Sequence, residues 1–84
     1  MRIVYTKHSK NKFGLLKTHG FRITKEQVKE AILNPESVTL SIKGRFIAQR
    51  RLNETHVIRV IYSKEKDIIK VITFYPARRE RYEG

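Results

Sequence analysis

Cysteine is absent from this chain, so neither disulfides nor a thiolate metal site can help hold it together. Long apolar runs are absent too. No stretch approaches the ~18 apolar residues of a membrane span, and the opening Met1-Arg2-Ile3-Val4-Tyr5-Thr6-Lys7 lacks the apolar core of a signal peptide. There is no glycine-rich phosphate loop, no zinc-like spacing among the three histidines and no serine nucleophile constellation. These gaps argue against an ATPase, a metalloenzyme and a serine-type hydrolase. They leave a soluble cytoplasmic protein without a cofactor as the expectation. Acidic residues are the remaining scarcity. Eight Asp and Glu face nineteen Lys and Arg, a net charge of +11, and residues 1–25 hold seven bases and no acid. Net charge is silent on fold, but it biases binding toward phosphate-rich polymers or a strongly acidic partner. No helical pattern combines a basic face with large exposed apolar residues, so a membrane surface is not an expected partner.

What is present is globular in character. With 84 residues, 39% of them hydrophobic and 32% charged, the chain has room for one domain and one modest core. Ile3-Val4-Tyr5 reads as a short strand or an extended lead-in. Residues 9–19 have a helical pattern, with Phe13 and Leu16 inward, Leu15 a further inward candidate, Lys7, Lys10 and Lys17 outward, and Gly20 as a left-handed terminator. Thr24 and Gln27 have the spacing of a capping box, Ile23 and Val28 that of a hydrophobic staple, and Val28, Ala31 and Ile32 form an inward stripe. Pro35 ends this second helix near Asn34.

After Pro35 the period changes. Residues 38–42 alternate as a half-buried strand does, Lys43-Gly44 signals a turn, and residues 45–52 return as a second strand. Asn53-Glu54-Thr55 turns into a third strand over residues 56–62, and a polar turn over 63–67 leads into residues 68–75. That last run is β-branched and aromatic, and apolar at both parities, which suits a strand in the middle of a sheet covered on both sides. Pro76 should stop it, releasing the charged tail Arg78-Arg79-Glu80-Arg81 from the core. The expectation is an α+β domain, residues 1–84, with two N-terminal helices on one face of a mainly antiparallel sheet of about four strands. The other face is then partly open. Alternation puts Arg50 with Phe46 and Ala48, and Arg59 with Val57 and Ile61, where an arginine either snorkels along an edge or points into a groove.

Several of these phrases together resemble a known family. Lys17-Thr18-His19-Gly20, the capped helix, Asn34-Pro35-Glu36, Arg59-Val60-Ile61-Tyr62, Ile69-Lys70-Val71-Ile72-Thr73 and Ala77-Arg78-Arg79-Glu80-Arg81-Tyr82-Glu83 are similar to the BrnT-type toxins of bacterial toxin–antitoxin pairs. Tyr5-Thr6-Lys7-His8 and Gly44-Arg45-Phe46-Ile47-Ala48-Gln49 are similar to a related family of small uncharacterised domains, whose opening replaces the aromatic-acidic start typical of BrnT. The resemblance implies a RelE-like fold, a ribonuclease acting on mRNA, on the ribosome or off it, and neutralisation by an antitoxin protein.

Metal-independent RNA cleavage needs the 2′-hydroxyl deprotonated, the phosphorane charge stabilised and the leaving oxygen protonated. Candidates exist for each role. His8 could serve as acid or base, since histidine trades protons near neutrality, although a polar residue near a helix start is the plainer reading. His19 reads as a helix C-terminal residue and His56, at a strand start, as a surface residue. Arg59, Arg78 and Arg79 are candidate phosphate clamps. Tyr75 and Tyr82 could stack on a base or act as weak acids, and Glu80 could orient an arginine or act as a base. The plainer readings are a half-buried sheet residue for Tyr75, ordinary ion pairing for Glu80 and a solvated charge for Arg81. Lys12, Arg45 and Arg50 could line the same groove by charge. Two other functions fit the same residues: a non-catalytic RNA- or DNA-binding module, and an adaptor for an acidic protein.

Overall fold

A computed structural model describes residues 1–41 and 43–82. Ile42 and Glu83, which close two of the runs read above, lie outside the described residues. The elements are β1 (Arg2–Tyr5), α1 (Lys7–Thr18), α2 (Lys25–Leu33), β2 (Ser37–Leu40), β3 (Phe46–Arg51), β4 (His56–Glu65), β5 (Ile68–Arg78) and α3 (Arg79–Tyr82). The sheet has five strands in the order β1-β5-β4-β3-β2. β1 runs parallel to β5 and the other pairs are antiparallel, which makes an α+β fold with a mixed sheet. The strand count exceeds four because residues 2–5 are a true strand, Arg2 N donating to Asp67 O at 2.8 Å and Thr6 N to Val71 O at 3.1 Å. The middle position belongs to β4, not β5.

The helices follow their caps. At α2 the Thr24 hydroxyl accepts from Gln27 N at 3.1 Å, and Gln27 Oε1 accepts from Thr24 N at 2.9 Å, completing the capping box. Ile23, Val28, Ala31 and Ile32 are buried against the sheet. α1 starts two residues earlier than the apolar pattern shows, because Thr6 caps it by accepting from Ser9 N at 3.1 Å. It ends at Gly20, whose φ of 89° is the left-handed conformation glycine tolerates best. Phe13 of α1 lies 4.6 Å, centroid to centroid, from Phe74 of β5. Both helices therefore share one face, over a core of Ala48, Ile58, Val60, Tyr62, Ile69, Val71 and Phe74. Among the described residues no helix is long and apolar enough to cross a membrane.

The strand β5 departs from its expected form in three ways. Between Ile61 and Tyr62 the register slips: Ile61 pairs with Thr73 but Tyr62 with Val71, leaving Ile72 as a bulge. Core residues sit at odd numbers before it (Ile69, Val71) and at an even one after it (Phe74). The run is thus apolar at both parities because its phase changes midway, and Ile68 and Lys70 stay exposed. Pro76 does not end the strand. Arg79 N donates to Thr55 O, so Ile58 and Pro76 form a non-hydrogen-bonded pair, and the missing N–H falls on the side that β1 leaves uncovered past Val71. The turn into β5 is also shorter than residues 63–67, since β4 continues to Glu65 and only Lys66-Asp67 bend, with Lys66 at a φ of 55°.

β2 differs as well. Val38 is 48% and Leu40 66% exposed, so this edge strand is not half-buried: it pairs with β3 alone and extends beyond the helices. The charged tail does not leave the core directly. It forms the short helix α3, which packs on β4 and β5 and contributes to the cover over the otherwise open face, where Val57 is fully buried.

Two stability outcomes follow. Thr6 both caps α1 and donates its hydroxyl to Ile72 O at 3.1 Å, whereas Thr24 serves one helix end. In urea unfolding, Thr6→Ala should cost about 2 kcal/mol and Thr24→Ala about 1 kcal/mol; equal losses would contradict a tether at the bulge. Burial pushes the Tyr62 hydroxyl above its ordinary 10.0, and burial, then the nearby Glu26 charge, do the same for Tyr5. The native chain therefore keeps protons that the unfolded chain releases above 10.0, so this contribution is complete below that pH and is lost as pH climbs through the raised native values. Urea midpoints measured across the alkaline range should fall less steeply for Tyr62→Phe than for the parent chain.

Candidate functional site

Side chains of one row cross the open face. Gln49 of β3 pairs with Arg59 of β4, and Arg59 with Tyr75 of β5, so the three stand side by side. Arg59 Nε donates to the Tyr75 hydroxyl at 3.0 Å, and Arg59 Nη1 donates to Gln49 Oε1. The Tyr82 ring of α3 lies over the guanidinium, 4.2 Å from its carbon to the ring centroid. Gln49 Nε2 reaches Tyr82 O at 3.5 Å. Arg59 is half-buried and Gln49 only 7% exposed. A guanidinium has no acceptor, so the Tyr75 oxygen accepts from it and retains its own proton to donate elsewhere.

Tyr75 also borders a hollow. A solvent-open concavity of about 330 Å³ lies where the start of β4, the end of β5 and α3 come together, lined by His56, Tyr75, Pro76, Ala77, Arg78, Arg81 and Tyr82. Its volume is at the lower end for a ligand site, and its lining mixes aromatic faces with cationic groups. Arg78 pairs with Glu80 (Nε to Oε1, 3.4 Å), with both side chains well exposed, an arrangement worth roughly 0–1 kcal/mol and easily exchanged for another anion.

The ten expected site residues fall into separate groups. Arg59 and Tyr75 stand in the half-buried row with the exposed Tyr82 ring over the guanidinium, and Tyr75, Tyr82 and Arg78 line the hollow with Glu80 beside it. Arg59 does not line the hollow; it touches it through Tyr75. Arg79 fastens the β3–β4 turn, its Nη1 donating to Glu54 O at 2.7 Å. Arg50 lies on the helix-side face, where its Nη1 donates to Asn34 O at 2.7 Å. Arg45 is exposed in the β2–β3 turn. His8 and Lys12 belong to α1, on the opposite face of the sheet from Arg59. Among the described residues no cluster of three or more His, Asp or Glu is placed to hold a metal ion.

Three participants escaped sequence reading: Gln49, His56 and Arg81. Gln49 left a signal, since a turn centred on Glu54 pairs it with Arg59. His56 and Arg81 left none, because the hollow exists only once β5 passes Pro76 and α3 folds back. No family model, curated protein or solved structure matches this chain, so its chemistry is read from this geometry.

The row has a mechanical consequence. Arg59→Met should cost about 1–3 kcal/mol in urea unfolding by stranding Gln49 and Tyr75. Arg59→Lys should recover little of it, because one ammonium cannot reproduce donors pointing to both neighbours. Full recovery with lysine would show that charge alone matters here.

Proposed function

We propose that this protein binds and cleaves RNA as a toxin-like, metal-independent endoribonuclease of a type II toxin–antitoxin system, with a RelE-like fold, acting on mRNA in the cytoplasm. The reading is carried by the hollow, where two tyrosines and the guanidinium groups of Arg78 and Arg81 converge on a space of about 330 Å³ at the edge of a rigid strand. Arginine forks suit phosphate oxygens, and tyrosine faces suit an unstacked base. In the reaction, the ribose 2′-oxygen loses its proton and bonds to phosphorus. The P–O5′ bond breaks with its electron pair on O5′, which takes a proton, leaving a 2′,3′-cyclic phosphate and a 5′-hydroxyl. Arg59 positions Tyr75 from behind rather than holding the phosphate itself, while Arg78 and Arg81 meet the charge. The net charge of +11 fits an acidic antitoxin as the silencing partner.

A second reading, a non-catalytic RNA- or DNA-binding module, is favoured by one observation. Arg59, half-buried in the middle strand, already gives Nε and Nη1 to protein acceptors. Incubating purified protein with a defined single-stranded RNA in a chelator separates the two. Cleavage yielding cyclic-phosphate ends, together with growth arrest on expression, supports the endoribonuclease. Salt-dependent binding with intact RNA supports the module, and negligible affinity in physiological salt would leave an adaptor for an acidic protein. Removing both rim cations, in Arg78→Ala with Arg81→Ala, should reduce the slope of log affinity against log salt by roughly 1.4.

A further inference from the structure

We propose that His56 is the proton-transferring side chain of the hollow and that its free ring nitrogen, Nε2, meets the nucleotide's ribose and phosphate; the inference rests on the RNA reading above. Sequence alone reads His56 as a surface residue at a strand start, and His8 as a candidate acid or base beside the plainer reading of a polar residue near a helix start. The structure reverses their circumstances. His8 is exposed on α1, across the sheet from the arginine and tyrosine groups. His56 is half-buried and lines the same hollow as Tyr75, Arg78, Arg81 and Tyr82.

Its ring is held from two sides. The edge of the Phe21 ring packs against it at 5.0 Å between centroids and an interplanar angle of 72°. Nδ1 lies 2.8 Å from the Thr55 hydroxyl. That hydroxyl belongs to a local turn organised by Asn53. The atom that accepts from Thr55 N at 2.9 Å and His56 N at 2.8 Å must be the Asn53 carbonyl oxygen, because an amide nitrogen could not accept from two N–H groups. The Thr55 hydroxyl also lies 3.1 Å from this oxygen. When it donates there, its lone pair accepts from Nδ1–H, which places the neutral ring's acceptor on Nε2. The same arrangement satisfies the protonated ring, whose Nδ1–H donates to Thr55 while Nε2–H is offered outward. Thr55 and Asn53 thus accommodate both charge states without moving the imidazole.

The charged and titratable groups around it are Arg78 across the ladder with Glu80 paired to it, Arg81 and Tyr82 from α3, and Tyr75 in the hollow. The segment between α1 and α2 contributes the apolar ring of Phe21. Nε2 accepts the 2′-hydroxyl proton as O2′ bonds to phosphorus, and the departing O5′ takes a proton from water. The imidazolium then neutralises the hydroxide formed, which returns the ring to its starting state.

Two measurements test this. Imidazole ¹H–¹⁵N spectra of the full chain, titrated with uridine 3′-monophosphate, should show the His56 ring in the Nδ1–H form when neutral. Its signals should shift saturably with nucleotide while those of His8 and His19 stay in place. A nucleotide that binds and moves His8 instead, or leaves His56 still, overturns the role of His56 and leaves RNA binding standing. A nucleotide that perturbs no histidine and does not bind, beside RNA that neither binds nor is cut, brings down both readings. In cleavage assays, His56→Asn, which retains a polar atom near the Nδ1 position, should lose ~10²–10⁴-fold in rate with RNA affinity within about threefold. His19→Ala serves as the unaffected control. Undiminished cleavage by a folded His56→Asn protein refutes the proposal.

Discussion

One extra residue in β5 decides what each face of this sheet carries. Continued strictly from Ile69 and Val71, alternation would send Thr73 and Tyr75 into the core and turn Phe74 toward the open face. The bulge at Ile72 exchanges them, so Phe74 is fully buried under Phe13 and Tyr75 stands beside Arg59. A bulge interrupts the ladder and leaves a carbonyl to be satisfied elsewhere. Thr6 supplies the donor, and the same oxygen caps α1. Ser9, fully buried, returns its hydroxyl to Thr6 O at 2.9 Å. Strand β1, helix α1 and the phase of β5 are therefore set by one small knot of hydrogen bonds, far in sequence from the hollow it orients.

Burial divides the labour among the arginines. Arg59 sits in the middle of the sheet, where a half-buried charge must be hydrogen-bonded and the groups it bonds cannot easily be released. That makes it a poor phosphate clamp and a good brace, since a donor-only partner fixes which way the Tyr75 hydroxyl can point. Arg78 has the opposite character. Its contact with Glu80 is exposed and weak, so an incoming anion displaces little. Sequence position suggests that these residues act alike, but their depth separates them into support and contact.

Much of the scaffold was legible before any coordinates. The capping box of Thr24 and Gln27, the stripe of Val28, Ala31 and Ile32, and the shared parity of Val57 and Arg59 are local signals, and local hydrogen bonding or alternation realises each of them. The misreadings were of context. Pro76 is tolerated because β1 is too short to need its N–H, a fact about another strand. Val38 and Leu40 alternate as buried residues do, but nothing reaches far enough to cover the edge strand. The bulge imitates a strand buried on both faces, since a change of phase and a double-sided core produce the same apolar run. His56 and Arg81 could be placed only after α3 had folded back.

The scarcity of acid acquires a location in the fold. Glu30 accepts from Asn34 Nδ2 at 2.7 Å beside the end of α2, and Glu36 accepts from Arg51 N at 2.7 Å at the start of β2. Glu26 lies close enough to Tyr5 to affect its ionisation. These carboxylates belong to the helix layer and the β2 edge. At the hollow Glu80 is the acid in contact with an arginine, and its exposed position makes it a weak competitor. Among the described residues, opposite charge is thus employed in the scaffold and, through Glu80, on Arg78 at the rim of the concavity. Because screening confines exposed charges to about 8 Å at physiological ionic strength, the charges nearest a given surface matter more to any approaching ion than the net +11 does. Helix α1, with Lys7, Lys10, Lys12 and Lys17 and no acid, carries uncompensated charge of its own, so what sets the hollow apart is that aromatic and titratable groups adjoin its arginines there.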